Sequence, residues 1–231
     1  MRRTILIVFL LCLLLPGLCG AESENLLKNA SFESITDSQW PLGWEEDMWL
    51  YDTGISYLEI AEGGVDGNYC VLIENVSSND ARFVQSVSVE ENAYYRLSGW
   101  VRAEGCDPLF TGANLSVVGS FADFPSLLDT QGEWMPLVCY LHTGEGQRMI
   151  DVAARLGGYS NDTVGRVYFD ALELVRVEES EIPLEASLIE LGNIGLSAPE
   201  EEIAQTVLKE GNVPSSFVIL LCIVFCLLFV S

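Results

Sequence analysis

Short apolar runs, broken about every ten residues by Gly, Asn, Asp or Pro, fill the middle of this chain, and few of them repeat with a helical period. This texture predicts an all-β sandwich. Strands are expected at Leu26–Phe32, Asp47–Asp52, Ser56–Ala61, Tyr69–Glu74, Arg82–Val89, Tyr94–Ala103, Ala113–Ser120, Glu133–His142, Met149–Leu156 and Arg166–Val177. The clearest alternation sets Phe83, Gln85, Val87 and Val89 against Arg82, Val84, Ser86 and Ser88, and the first set is expected to face the core. By the same period of two, Tyr95, Leu97, Gly99 and Val101 point inward. Arg96, Ser98, Trp100 and Arg102 then share the outer face of their strand.

Two apolar blocks lie outside this texture. Met1-Arg2-Arg3 opens a nearly unbroken apolar run that gives way to small residues at Gly20-Ala21, the pattern of a secretory signal peptide over residues 1–21. Phe217–Val230 is wholly apolar; with Val213 to Ser216 it makes a thin transmembrane anchor over residues 213–231, since a spanning helix needs about 20 residues. A removable lipid-anchor signal, or a chain continuing into further membrane helices, are the rival readings. The β-sandwich domain is placed at residues 22–177. Glu178, Glu179, Glu181 and Pro183 begin an acidic tether over 178–212, in which Ser197 to Leu208 reads as a short capped helix and Leu184–Leu196 is apolar enough to dock on the domain. The expected location is the cell membrane, with the domain on the extracellular side.

Of the 231 residues, 49% are hydrophobic, enough for one sizeable core. The formal net charge of -23 argues against nucleic acid and against anionic lipid headgroups as partners. Cys70, Cys106 and Cys139 are the cysteines outside the terminal blocks, so at most one disulfide forms within the domain, and no zinc-ligand spacing is present. Cys70 and Cys139 sit in strand-like runs, where they pack as small hydrophobes. Asn29, Asn75, Asn114 and Asn161 begin Asn-X-Ser/Thr sequons and are glycosylation candidates in an exported chain.

The chemistry needed for catalysis is sparse. His142 is the only histidine, late in a strand and with no nucleophile motif nearby, and no Gly-rich phosphate loop follows a strand. No catalytic residue is assigned and a non-enzyme is expected. A sugar, by contrast, offers an apolar CH face and a ring of hydroxyls, which flat aromatics beside polar groups satisfy. Trp44 and Trp134 stand at strand entrances and are expected in the core. Trp49 and Tyr51 share one face of their strand, and Trp100 lies between Arg96 and Arg102 on the outer face of its own, so these five residues are the carbohydrate-binding candidates.

The ordered set Asn25 to Glu33 (NLLKNASFE), Gly67-Asn68-Tyr69, Gln85, Tyr95 to Trp100, Gly112-Ala113-Asn114, Trp134, Arg155-Leu156-Gly157 and Phe169-Asp170 resembles carbohydrate-binding modules with the galactose-binding-like jelly-roll fold, the CBM4/9 type. The resemblance covers roughly Asn25 to Val177. It implies a jelly-roll β-sandwich and a structural Ca²⁺ between the first and last strands, with Glu33 and Asp170 as carboxylate ligands, a backbone carbonyl at Ser31, and Asp66. Ala171 departs from the family pattern, which often has a second Asp there. The implied function is non-catalytic binding of a glycan or polysaccharide by a membrane-tethered extracellular module. Two alternatives stay open: a surface or adhesion spacer with no sugar site, and the exported module of a membrane glycosyltransferase or other carbohydrate-active assembly, which would have a membrane protein partner.

Overall fold

The computed structural model describes residues 24–192, and within them the chain is all-β apart from one 3-10 turn at Glu179–Glu181. The strands are β1 (Glu45–Met48), β2 (Ser56–Glu62), β3 (Tyr69–Asn79), β4 (Ala81–Ser88), β5 (Tyr94–Glu104), β6 (Ala113–Val117), β7 (Ser126–Leu127), β8 (Met135–Thr143), β9 (Met149–Leu156), β10 (Thr163–Val177) and β11 (Leu188–Gly192). They form a 5-stranded sheet in the order β1-β4-β9-β6-β7 and a 6-stranded sheet in the order β11-β8-β5-β10-β3-β2. Every pairing is antiparallel except that of β11 with β8.

Alternation along each strand builds the core between the sheets. Phe83, Gln85, Val87 and Val89 are all buried, as are Tyr95, Leu97, Gly99 and Val101 on the facing sheet. A Cβ at Gly99 would sit 2.3 Å from Leu172 Cδ2, so glycine there leaves room for the Leu172 side chain in the core. Trp44 is buried against Phe32, ring centroids 5.2 Å apart, and its Nε1 donates to the carbonyl of Asn29.

The structure departs from the expected elements as follows. Residues 26–32 are not a strand: Asn29 and Phe32 take positive φ, and the segment reaches β10 only through Leu26 N–H to the Leu174 carbonyl and Leu172 N–H to the Ala30 carbonyl. β1 ends at Met48, so Trp49 to Asp52 lie past the end of the strand. Trp134 is half-buried on the outside of the sandwich rather than in the core. Past Val177 the chain does not leave the domain, because β11 pairs with β8 and buries Ile189 and Leu191 in the common core, as the apolar texture of that stretch suggested. The signal-peptide, helix and membrane-anchor assignments at the two ends lie outside the described residues; among those described, no helix is long and apolar enough to cross a membrane.

Candidate functional site

The outer face of the 6-stranded sheet carries an open groove. Its floor follows from register: Tyr140, Val138 and Pro136 of β8 stand beside Arg96, Ser98 and Trp100 of β5, and β10 supplies Glu173 beside Ser98 and Val175 beside Arg96. Glu173 reaches this face only because β10 bulges between Asp170 and Glu173. Ala171 takes φ 47°, Leu172 drops into the core, and the next residue turns outward. The N-terminal segment fills the bulge, with Asn25 donating Nδ2 to the Leu172 carbonyl at 2.9 Å and accepting from Leu174 N–H at 3.0 Å. That segment, with Ser31 and Asp66, walls the groove on the β10 side.

Two cavities make up the groove, of about 510 Å³ towards Trp100 and about 550 Å³ towards Val177 and Glu181, and they share Asn25, Arg96, Tyr140 and Glu173. The Arg96 guanidinium and the Glu173 carboxylate are ion-paired where the two meet. Trp100 is 38% exposed and Val138 42% exposed, so part of the indole and an aliphatic floor face solvent. Tyr140 stands level with Arg96 and Trp100 lies four residues further along β5, which sets the two aromatics about 13 Å apart along the strand.

Arg102, two residues past Trp100, lies outside the groove. Its guanidinium packs 4.1 Å from the Tyr168 ring centroid and 5.1 Å from that of Trp134, which accounts for Trp134 staying at the surface. Trp49 and Tyr51 are 72% and 61% exposed but belong to the edge of the other sheet, where Trp49 N–H donates to the Asp80 carbonyl and the Tyr51 hydroxyl donates to Asp47. The five candidates therefore fall on three surfaces, and of them only Arg96 and Trp100 line the groove. Tyr140 and Glu173 join them there. Period two along β8 from Pro136 reaches Tyr140, whereas nothing in the sequence marks the bulge that exposes Glu173.

The outer face of the 5-stranded sheet is closed at its centre. Arg155 donates Nε and Nη2 to Asp80 at 2.6 and 2.5 Å, and Arg82 donates to Asp80 at 2.8 Å and to Asp47. Asp80, Arg82 and Arg155 are all buried. The Tyr159 ring lies over both guanidiniums, 4.3 Å from that of Arg155 and 5.7 Å from that of Arg82, and its hydroxyl accepts Gly119 N–H at 2.8 Å. Burial together with Asp80 raises the pKa of the neighbouring Asp162 carboxyl.

Glu33, Asp170, Asp66 and Ser31 all meet the turn between β2 and β3. Glu33 Oε1 accepts Asn68 N–H and Tyr69 N–H at 2.8 and 2.7 Å; Asp170 Oδ2 accepts Val65 N–H and Asp66 N–H at 2.5 and 2.8 Å, and its Oδ1 accepts Ala171 N–H at 2.7 Å. Ser31 donates its hydroxyl to Asp66 at 2.7 Å. Gly67 is obligatory, since it has φ 102° and its Cβ would meet the Glu33 carboxyl at 2.4 Å. Ca²⁺ takes 6–8 convergent oxygens. Here Glu33 Oε1 and both Asp170 oxygens face amide hydrogens, and among the described residues no group of three or more His, Cys, Asp or Glu is arranged to hold a metal. As arranged, these residues do not fit the implied ion.

The remaining candidates sort by burial. Asn75 and Asn114 are 2% exposed, with Nδ2 donating to the Thr163 carbonyl and to the Gly157 carbonyl respectively, so neither amide is presented to solvent. Asn29 Nδ2 bridges the Ser34 and Leu42 carbonyls, and Asn161 is exposed. Cys70, Cys106 and Cys139 are free thiols; burial pushes the pKa of Cys70 and Cys106 up to about 11 and that of Cys139 to about 12. His142 stacks on Tyr94 at 4.4 Å with Nδ1 2.7 Å from Glu190, a contact that ties β11 to β8.

No family model and no curated protein matches the chain. Among solved structures, it is similar to TmCBM61 in complex with β-1,4-galactotriose, at 19% identity and TM-score 0.44, covering 67% of this chain and 100% of that one. It is also similar to the CBM22-1 xylan-binding domain from Paenibacillus barcinonensis, at 15% identity and TM-score 0.42, covering 68% and 96%. The adhesin domain of Lys-gingipain from Porphyromonas gingivalis is similar at 16% identity and TM-score 0.41, covering 64% and 96%. Several of the similar structures are carbohydrate-binding modules, and the likeness is low in identity. It lies in the fold.

Proposed function

We propose that this domain binds a glycan, without catalysis, in the groove on the outer face of its 6-stranded sheet. The observation that carries the reading is the composition of the groove: an exposed Trp100, a second aromatic at Tyr140, an aliphatic floor at Val138, and the Arg96–Glu173 pair between them. Rings stack against the CH faces of a sugar while the guanidinium and carboxylate bind its hydroxyls. The reading includes a cell-surface setting with the domain tethered outside the membrane, supported by the apolar run Phe217–Val230 and the apolar N-terminal run after Arg3. Titration calorimetry of the folded domain against a polysaccharide panel tests it. Binding of one glycan class, weakened at least about tenfold by Trp100→Ala, is expected, since truncating an interface tryptophan commonly costs more than about 1.4 kcal/mol. Failure of every polysaccharide to bind would leave the domain a surface spacer.

A further inference from the structure

The geometry points to Glu173 as the residue that restricts the groove to uncharged glycans and excludes acidic ones, an inference that rests on the glycan-binding reading above. The groove holds three carboxylates, on Asp66, Glu173 and Glu181, against the single guanidinium of Arg96. That guanidinium is already compensated by Glu173. The nearby cations are committed elsewhere: Arg102 lies between Tyr168 and Trp134, and Arg176 pairs with Glu90 at 3.0 Å. A ligand carboxylate entering the groove therefore meets an excess of negative charge, on a chain whose formal net charge is -23.

The same pair suits a neutral sugar. Arg96 Nε is buried and has no hydrogen-bond partner, so the guanidinium plane is set by Nη2 donating to Glu173. The guanidinium has further N–H donors, and a carboxylate accepts at two oxygens. The pair thus sets a donor next to an acceptor at the point where the two cavities join. Adjacent sugar hydroxyls, each able to donate and to accept, match that arrangement, and a carboxylate, which only accepts, does not.

The test uses the full chain. A neutral hexose polysaccharide found to bind in the panel is compared with the same polymer oxidised at its primary hydroxyls to carboxylates, and both are titrated against the wild type and Glu173→Gln. Oxidation is expected to weaken wild-type binding at least tenfold at low salt, by a factor that shrinks as salt is added. Glu173→Gln is expected to weaken the neutral parent a fewfold and to recover most of the loss for the oxidised polymer. Equal or tighter wild-type binding of the oxidised polymer, or an unchanged ratio in Glu173→Gln, would overturn the assignment while leaving glycan binding intact. Binding of acidic polymers alone would overturn the assignment and keep the glycan reading, whereas absence of binding by any polysaccharide would remove both. A thermal melt of Glu173→Gln matching the wild type shows that the variant is folded.

Discussion

Replacing Asp170 tests how the two ends of the sandwich are joined. The side chain is 0% exposed and accepts three backbone N–H groups, from Val65, Asp66 and Ala171. Asp170→Ala removes both acceptor oxygens and with them all three hydrogen bonds. Val65 is 42% exposed, Asp66 is exposed and Ala171 is half-buried, so water can meet these amides only in part. With each unmet buried group costing about 1–3 kcal/mol, and some relief from no longer burying a charge, the loss comes to roughly 2–4 kcal/mol. At about 2–4 °C per kcal/mol for a domain of this size, Tm falls by about 4–16 °C. Asp170→Asn retains one acceptor oxygen, directed either at the Val65–Asp66 pair or at Ala171, and loses about half as much. The pH dependence fixes the mechanism. Burial, outweighing the amide donors, raises the Asp170 pKa above its ordinary 3.8. The folded state then holds the proton more tightly than the unfolded chain, so this group stabilises the fold as pH falls through the raised pKa, with the gain complete below 3.8. Asparagine lacks that gain, and the Tm gap between wild type and Asp170→Asn should widen from pH 7 to pH 4. Melts with Ca²⁺ and with chelator should superpose. A Tm change under about 2 °C for Asp170→Ala would refute the reasoning, as would a gap that narrows on acidification, which is the mark of a carboxylate stabilised in its charged form by its amide donors or by a cation.

Asp80→Ala leaves the Arg155 guanidinium, 3% exposed, without its carboxylate partner and Arg82 with only Asp47. Breaking a buried pair in this way costs about 3–5 kcal/mol, read as a lower urea midpoint with an unchanged slope; a shift worth under about 1 kcal/mol would show that the cluster contributes little. Thiol labelling at pH 8 should leave Cys139, whose pKa is about 12, unmodified in the folded protein and fully modified in denaturant. Rapid native labelling of Cys139 would mean that β8 opens locally.

Much of the fold was legible in the sequence because alternation records which side of a strand is dry. Phe83, Gln85, Val87 and Tyr95, Leu97, Gly99, Val101 carry that signal, and each is buried where the period placed it. The same logic put Arg96 and Trp100 on one outer face, where both line the groove. Trp134 was misplaced because a tryptophan at a strand entrance looks the same whether it plugs a core or covers an arginine, and Arg102 is what holds it outside.

What the sequence by itself determined is local: strand spacing, the inward set of each strand, and an acidic balance that sets the character of its surfaces. The tertiary structure decided which outer faces are open. Tyr159 lies across Arg82 and Arg155 and closes one sheet, through contacts between residues more than seventy positions apart in Arg82 and Tyr159. The bulge at Asp170–Glu173 turns Glu173 outward on the other sheet, and it persists because Asn25, at a sequence separation of 147 from Leu172, fills it. A period of two carries no record of an inserted residue until a distant segment supplies the hydrogen bonds that stabilise it, so the floor of the groove could be read from β5 while its charge could not.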